Sequence, residues 1–302
     1  MTRRLAVAIA LAVTCATSAL AERSHIGYGR LLTNDQFGDG HDRNRTGAYT
    51  ASHVWAPDWA GALPGRPGEL LELRFHGETL APDNMQTVTP RDRPYAGALS
   101  FGLHTHFARR GTEISLGGDL VMTGPQTRLD DLQATIHDLL GGAKPSDAVR
   151  ANQIPDGIHP TMVAEFAHPL TFGETGRLRP FVEIRMGAET LLRAGADLTL
   201  GRFGKGALMI REVSSGQRYR VTGGGARGTS MVLGADFARV DDSVFLPESR
   251  GYEVTDRTRI RAGLHWQGRR SSVFYGVTWL DREFERQRDS QLVGSLRLKL
   301  AF

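Results

Sequence analysis

Cysteine and long hydrophobic runs are both scarce in this chain. Its one cysteine, Cys15, lies inside the N-terminal segment 1–21, so the remaining residues cannot form disulfides. After that segment, no stretch has the length and apolarity that a transmembrane helix needs. A membrane protein built from helices is therefore excluded. A membrane β-barrel is not excluded, because its strands alternate apolar with polar residues and conceal their hydrophobicity.

Segment 1–21 has the features of a secretory signal peptide. Arg3 and Arg4 precede a short apolar stretch, and Ala19-Leu20-Ala21 offers a small-x-small cleavage site. Removing the segment takes away these two positive charges, so the formal net charge falls from +4 to about +2. This near balance gives no reason to expect nucleic acid as a partner. We expect an exported bacterial protein with one mature domain, residues 22–302.

The mature chain is rich in segments that alternate between apolar and polar residues. In segment 257–267, Ile260 and Leu264 alternate with Arg259, Arg261 and His265. A soluble sandwich could explain one such segment, but so many unpaired charges on its inner face would be costly, whereas a polar lumen accommodates them. The same pattern recurs at 98–107, 112–122, 181–188, 196–203, 230–240, 272–280 and 293–302. With roughly ten residues a strand, the sequence predicts an all-β fold, a transmembrane antiparallel β-barrel of about 12 strands.

The final alternating segment has the pattern of a closing barrel strand. Leu296, Leu298 and Phe302 share one face, while Arg297 and Lys299 lie on the other. A terminal aromatic residue on the lipid-facing phase, together with a signal peptide, is typical of strands that the outer-membrane barrel assembly machinery accepts. We therefore expect the bacterial outer membrane as the location and this machinery as a partner during insertion.

One segment breaks the strand pattern. Leu129, Leu132 and Ile136 recur at helical spacing, with Asp130 and Asp131 in the first turn. The spacing predicts a short amphipathic helix at 128–140. A helix between two barrel strands cannot lie in the wall, so we expect it at the rim, where functional sites are often built.

Three polar clusters are candidates for chemistry. The first contains Asn34, Asp35 and Thr46, the second is the run 92–97 (Asp-Arg-Pro-Tyr-Ala-Gly), and the third is His137 on the predicted helix. Each also has a structural explanation: Asx-rich runs form turns, Asp-Arg-Pro can begin a strand, and a lone histidine is usually structural. An EF-hand is excluded, because the first cluster has no glutamate at the twelfth position.

At these residues the chain resembles the outer-membrane lipid A 3'-O-deacylase family. The matching motifs, in the family's order, are Asn34-Asp35-x-Phe37 with Asp42-Arg43 and Thr46-Gly47, then Asp92-Arg93-Pro94-Tyr95-Ala96-Gly97, then Thr123-Gly124-Pro125 leading to His137, and finally Tyr275-Gly276-Val277-Thr278 to Val293-Gly294-Ser295-Leu296. The resemblance implies a twelve-stranded barrel that uses calcium to hydrolyse the 3'-linked acyloxyacyl ester of lipid A. It also implies a monomer whose partner is lipopolysaccharide.

The resemblance assigns roles to individual residues. Asn34, Asp35 and His137 map onto the functional Asn-Asp pair and the histidine base, and a neutral-pH base in proteins is usually a histidine. Asp35 supplies the hard oxygen that a calcium ion prefers. The amide of Asn34 either donates to the oxyanion or orients the water. Arg93 and Thr46 are the expected substrate contacts, since arginine binds phosphate bidentately.

Two departures leave other functions open. No glutamate follows the histidine between residues 139 and 160, and no lysine occurs between residues 34 and 95. The chain could accordingly be a deacylase with altered preference or a relative without activity. The alternatives are a non-catalytic barrel, either channel or structural protein, and an outer-membrane phospholipase, although no serine-centred nucleophile motif is apparent. A soluble secreted β-protein is the weakest alternative.

Overall fold

The computed structural model describes residues 23–140, 143–223 and 226–300. The predicted signal peptide and Phe302 lie outside these residues. No helix in the described ranges is long and apolar enough to cross a membrane. The strands are β1 (Ser24–Asn34), β2 (Asn44–Ala56), β3 (Leu71–Ala81), β4 (Ala96–Arg109), β5 (Thr112–Thr123), β6 (Gly157–Ala167), β7 (Leu170–Phe172), β8 (Gly176–Met186), β9 (Glu189–Leu200), β10 (Met209–Arg211), β11 (Arg218–Arg220), β12 (Gly228–Ser243), β13 (Arg257–Gln267), β14 (Ser272–Leu280) and β15 (Gln291–Lys299).

Twelve of these strands form one closed antiparallel sheet. Their order is β6-β5-β4-β3-β2-β1-β15-β14-β13-β12-β9-β8, and β8 pairs back to β6. The short β7 extends a hairpin with β8, while β10 and β11 form a separate two-stranded sheet. The prediction of an antiparallel barrel of about 12 strands is confirmed. The alternating segments lie on β4, β5, β8, β9 and β12 to β15, although segments 196–203 and 293–302 run past the ends of β9 and β15.

The barrel wall is apolar on its outer face and charged on its inner face. On β4, Phe101 and Leu103 are 48% and 52% exposed, whereas His104 and His106, which follow them, are buried. Strand β13 repeats the pattern, with an exposed Leu264 beside a buried His265. A protein in water would reverse this arrangement, so the wall is suited to lipid outside and a polar interior.

The two rims differ in the length of their loops. The helix-side rim carries loops 35–43, 82–95, 124–156, 187–188, 244–256 and 281–290, and the terminal-side rim carries 57–70, 110–111, 168–175, 201–227 and 268–271. Helix α1 (Leu129–Leu140) and the one-turn α2 (Asp147–Ala151) both lie in loop 124–156. The predicted helix at 128–140 is confirmed. Outer-membrane barrels place their longer loops outside the cell, so the helix-side rim is assigned to the exterior.

A hairpin made of β10 and β11 fills part of the lumen. Arg211 at its tip forms ion pairs with Glu165 and Asp197 on the wall, at 2.7 and 2.8 Å. Tyr219 is buried and shares a 2.6 Å hydrogen bond with the hydroxyl of Ser52. The sequence did not predict this hairpin, because its strands are too short to alternate and have no lipid-facing side.

Candidate active site

The first site residue is placed by the end of β1. Asn34 pairs across the sheet with Gly47 of β2, on the outward phase that it shares with the exposed Leu32. Its Nδ2 donates to the carbonyl of Thr46 at 2.8 Å, and its Oδ1 accepts from the backbone N–H of Gln36 at 2.9 Å. The side chain thus caps a one-turn 3-10 helix, Asp35–Phe37, and stands at the outer edge of the wall rather than in the lumen.

The loop that follows is held tightly against β15. A Cβ on Gly38 would lie 2.0 Å from the carbonyl oxygen of Leu292, and one on Gly294 would lie 2.2 Å from that of Phe37. Asp39 accepts the backbone N–H of Leu292 at 3.1 Å. Both glycines are therefore needed for the loop and the strand to approach so closely, and this approach fixes Asp35.

Asp35 is a buried carboxyl group with one free oxygen. Its side chain is 1% exposed, its Oδ2 accepts the backbone N–H of Arg43 at 3.2 Å, and its Oδ1 has no partner among the described residues. Burial and the nearby Asp42 raise the pKa of Asp35 to about 8. A carboxyl group in this state favours either a proton or a cation beside it.

Helix α1 is positioned from β4 by the run 92–97. A Cβ on Gly97 would come within 2.5 Å of the hydroxyl of Thr127, so this glycine lets the segment before the helix lie against the strand. Tyr95 is buried and donates to the Oε1 of Gln133 on the helix at 2.7 Å. Arg150 of α2 adds an ion pair with Asp130 at 2.7 Å. Through Tyr95 and Gly97, the run 92–97 at the start of β4 thus holds α1 against the barrel.

The helix brings His137 to the loop that holds Asp35. The Nε2 of His137 lies 3.1 Å from the Oδ2 of Asp42, and its Nδ1 lies 2.5 Å from the carbonyl oxygen of Ala143. Gln133, one helical turn earlier on the same face, donates to the Oδ1 of Asp42 at 3.4 Å. Both sides of the Asp42 carboxylate are therefore in contact with α1.

The structure brings most of the predicted site residues together. His137 contacts Asp42, and Asp42 lies near Asp35, while Asn34, next to Asp35, donates to the carbonyl of Thr46. The side chain of Thr46 is buried beside a bulge in β2 rather than presented outward. Asp42 and Gln133 are two residues of this site to which no role was assigned from the sequence. Gln133 could have been found from the sequence, because it lies four residues before His137 and therefore on the same face of the predicted helix.

Arg93 does not lie where it could contact a substrate, although the resemblance led us to expect such a contact. Its side chain is fully buried in the lumen and donates to Glu283 at 3.0 Å. Glu283 also binds Arg45 at 2.5 Å, and Arg45 binds Glu78 at 2.7 Å. Burial outweighs the attraction of Glu283 and lowers the pKa of Arg93. Arg93 therefore holds the run 92–97 on the barrel and cannot reach a phosphate outside the wall.

The residues around Asp35 fit a hard cation in part. The free Oδ1 of Asp35 is the type of ligand that calcium prefers, and a cation would offset the repulsion between Asp35 and Asp42. No group of three or more His, Cys, Asp or Glu side chains in the described part of the chain has metal-binding geometry. Further ligands would accordingly be backbone carbonyls, water or substrate oxygens.

Comparison with known proteins shows the family to which this chain belongs. The family model described as outer membrane protein LpxR matches residues 5–302. LpxR from Salmonella typhimurium is similar in structure, with a TM-score of 0.72 at 16% identity over 91% of this chain and 100% of that chain, which shows the shared fold. The KdgM and NanC porins also match over 91% of this chain and 98% and 100% of theirs, at 5% and 6% identity and TM-scores of 0.40 and 0.41, too low to carry an argument. No curated protein sequence matches. This chain is a member of the LpxR family of outer membrane proteins.

Proposed function

We propose that the chain is a lipid A deacylase that hydrolyses the 3'-linked acyloxyacyl ester, with His137 as the base. The observation that carries the proposal is the contact between His137 on an inserted helix and Asp42, beside the buried Asp35. Asn34 of the same site stands at the outer edge of the wall. A lipid in the outer leaflet could reach this place without entering the lumen.

The geometry indicates how His137 would act. Both of its ring nitrogens lie near acceptor oxygens, and one contact must open before the ring can take a proton from water. A bond to a carboxylate is roughly twice as strong as one to a neutral carbonyl, so the Ala143 contact is the one to open. The Nε2–H of His137 then stays hydrogen-bonded to Asp42, which orients the ring. The freed Nδ1 takes the proton from water.

The developing oxyanion needs positive charge or hydrogen-bond donors. A calcium ion held by Asp35 would supply Lewis acidity when bound. The Oδ1 of Asn34 and one of its two Nδ2 hydrogens are engaged, by Gln36 and Thr46 respectively. We therefore assign Asn34 first to fixing the loop that carries Asp35, while its second Nδ2 hydrogen remains a donor for the oxyanion.

A passive channel has less support. The β10–β11 hairpin occupies the lumen, and Arg211 ties it to the wall through two buried carboxylates. An outer-membrane phospholipase uses the same ester chemistry, and the site geometry does not separate it from a lipid A deacylase.

The experiment offers hexa-acylated lipid A and phospholipid side by side to purified protein in detergent with calcium. Mass spectrometry should show loss of the 3'-linked acyloxyacyl group from lipid A and intact phospholipid. The His137→Ala variant should lose the activity by about 10²-fold or more. Unchanged activity in that variant would remove His137 from the mechanism, and cleavage of phospholipid alone would change the substrate.

A further inference from the structure

A cavity lies at the opposite end of the barrel from His137. It has a volume of about 130 Å³ and is enclosed by loop 57–70, the start of β8 and the lumen hairpin. Since a water molecule takes roughly 30 Å³, the space would hold several waters or one small polyatomic ion. Its lining is rich in arginine, so the question is which of these cations have a carboxylate partner.

Most arginines that line the cavity have a carboxylate partner. Arg179 binds Glu113 at 2.6 Å and Glu165 at 2.8 Å. Arg211 binds Glu165 and Asp197, as described above, and Arg185 binds Glu183 at 3.4 Å. These carboxylates are thereby already engaged with other cations.

Arg177 and Arg218 differ from the other arginines of the lining because they form no ion pair in the described structure. Neither has a carboxylate oxygen within 4.0 Å in the parts of the chain that the structure describes. Arg218 donates from Nη2 to the carbonyl of Met209 at 3.1 Å, and its buried Nε has no partner there. Arg177 reaches only the carbonyl of Gly204, at 3.5 Å. The two cations also repel each other, and the nearest carboxylates that attract them, Glu113 and Asp197, are already paired with other arginines. A half-buried pair of cations without a direct ion pair costs free energy.

We propose that this cavity binds a phosphate-type anion, held between Arg177 and Arg218. Two guanidinium groups match the charge of free phosphate or a phosphate monoester, about −1.5 to −2 at neutral pH, better than the single charge of a carboxylate. A neighbouring cavity of about 390 Å³ shares Arg177 and adds Arg202, Lys205 and Glu174, so a net positive charge continues toward the terminal-side rim. The anion is either free phosphate or a phosphate monoester of a lipid headgroup.

The test is calorimetric titration of the detergent-purified protein at constant ionic strength. Inorganic phosphate is one ligand and soluble glycerol phosphate is the other, so that the two sources are compared. We expect saturable binding that is at least about tenfold weaker in Arg177→Gln. Arg269→Gln removes the same charge from the exposed turn 268–271 on the same rim and should bind as the wild type does.

Two further variants keep the test decisive. Arg177→Lys keeps the positive charge but loses the planar guanidinium that binds phosphate through two hydrogen bonds. It should bind phosphate with intermediate affinity. If Arg218→Gln does not fold, Arg177→Gln alone carries the test, because Arg177 is half-buried and has no ion pair to break in the described structure. Absence of saturable binding, or equal binding in Arg177→Gln and Arg269→Gln, would overturn the proposal. Lipid A hydrolysis should be the same in all these variants, so this test is independent of the proposed function.

Discussion

The Nε2 of His137 lies 3.1 Å from the Oδ2 of Asp42, although the two residues are far apart in sequence. The contact joins the inserted helix to the loop after β1. Both side chains are mostly shielded from water, at 14% and 22% exposure, so the carboxylate acts on the imidazole with little screening. This pair is the centre of the proposed site.

Asp42→Asn should lower the rate of lipid A hydrolysis by about 10²-fold while leaving substrate affinity nearly unchanged. The amide keeps the shape of the side chain but no longer holds the ring through a charge-assisted hydrogen bond. Steady-state kinetics with mass-spectrometric detection would measure both parameters. Asp138→Asn is the matched control, since Asp138 is exposed and pairs with Lys144. Equal rates in the two variants would show that Asp42 does not position His137.

Gly97→Ala should reduce activity without unfolding the barrel. The added Cβ would meet the hydroxyl of Thr127 at 2.5 Å and the Cβ of Leu129 at 3.0 Å, so the start of α1 must shift. A shift of this size at the helix moves His137 relative to Asp42. Gly118→Ala is the control on the adjacent strand, because its Cβ would make an ordinary 3.7 Å contact. Heat-modifiable migration on a gel would verify that both variants fold.

The parts of this structure that repeat locally were predictable from the sequence. Alternation along β4 and β13 follows from lipid on one side and a polar lumen on the other, and the leucine spacing of α1 follows from its amphipathic turn. The contacts of Gln133 with Tyr95 and Asp42 depend on three distant segments meeting, and no local pattern encodes that. Arg93 illustrates the same limit, because its motif was visible but its burial against Glu283 was not.

The pH dependence of stability should report on Asp35. Its pKa rises from 3.8 to about 8 on folding, so between these values the folded protein holds a proton that the unfolded chain has released. The free energy of unfolding therefore falls as the pH rises through this window, by at most about 1.4 kcal/mol per pH unit. Asp35→Asn should flatten the dependence, as measured by urea unfolding in calcium-free detergent from pH 5 to pH 8.

The same measurement tests the calcium assignment. A cation at Asp35 stabilises the ionised carboxylate, so calcium should raise the urea midpoint of the wild type at pH 8. It should have little effect on Asp35→Asn, while Asp138→Asn should respond as the wild type does. An equal calcium effect in all three proteins would place the ion elsewhere.

The lumen hairpin should be a major source of stability, through Arg211. This side chain binds Glu165 and Asp197 and lies 3.6 Å from the centre of the Phe181 ring. Arg211→Met would leave Glu165 paired only with Arg179 and Asp197 only with Arg261, so the loss should stay below the roughly 3–5 kcal/mol of a fully unpaired buried charge. Urea unfolding at pH 7 would measure the loss, with Arg269→Met as an exposed control. Adding Glu165→Gln to Arg211→Met should restore part of the stability, because one of the two carboxylates that lost a cation is then neutral, while Arg179 keeps its ion pair with Glu113. A double variant no more stable than the single one would indicate that the hairpin is held by packing around Tyr219 instead.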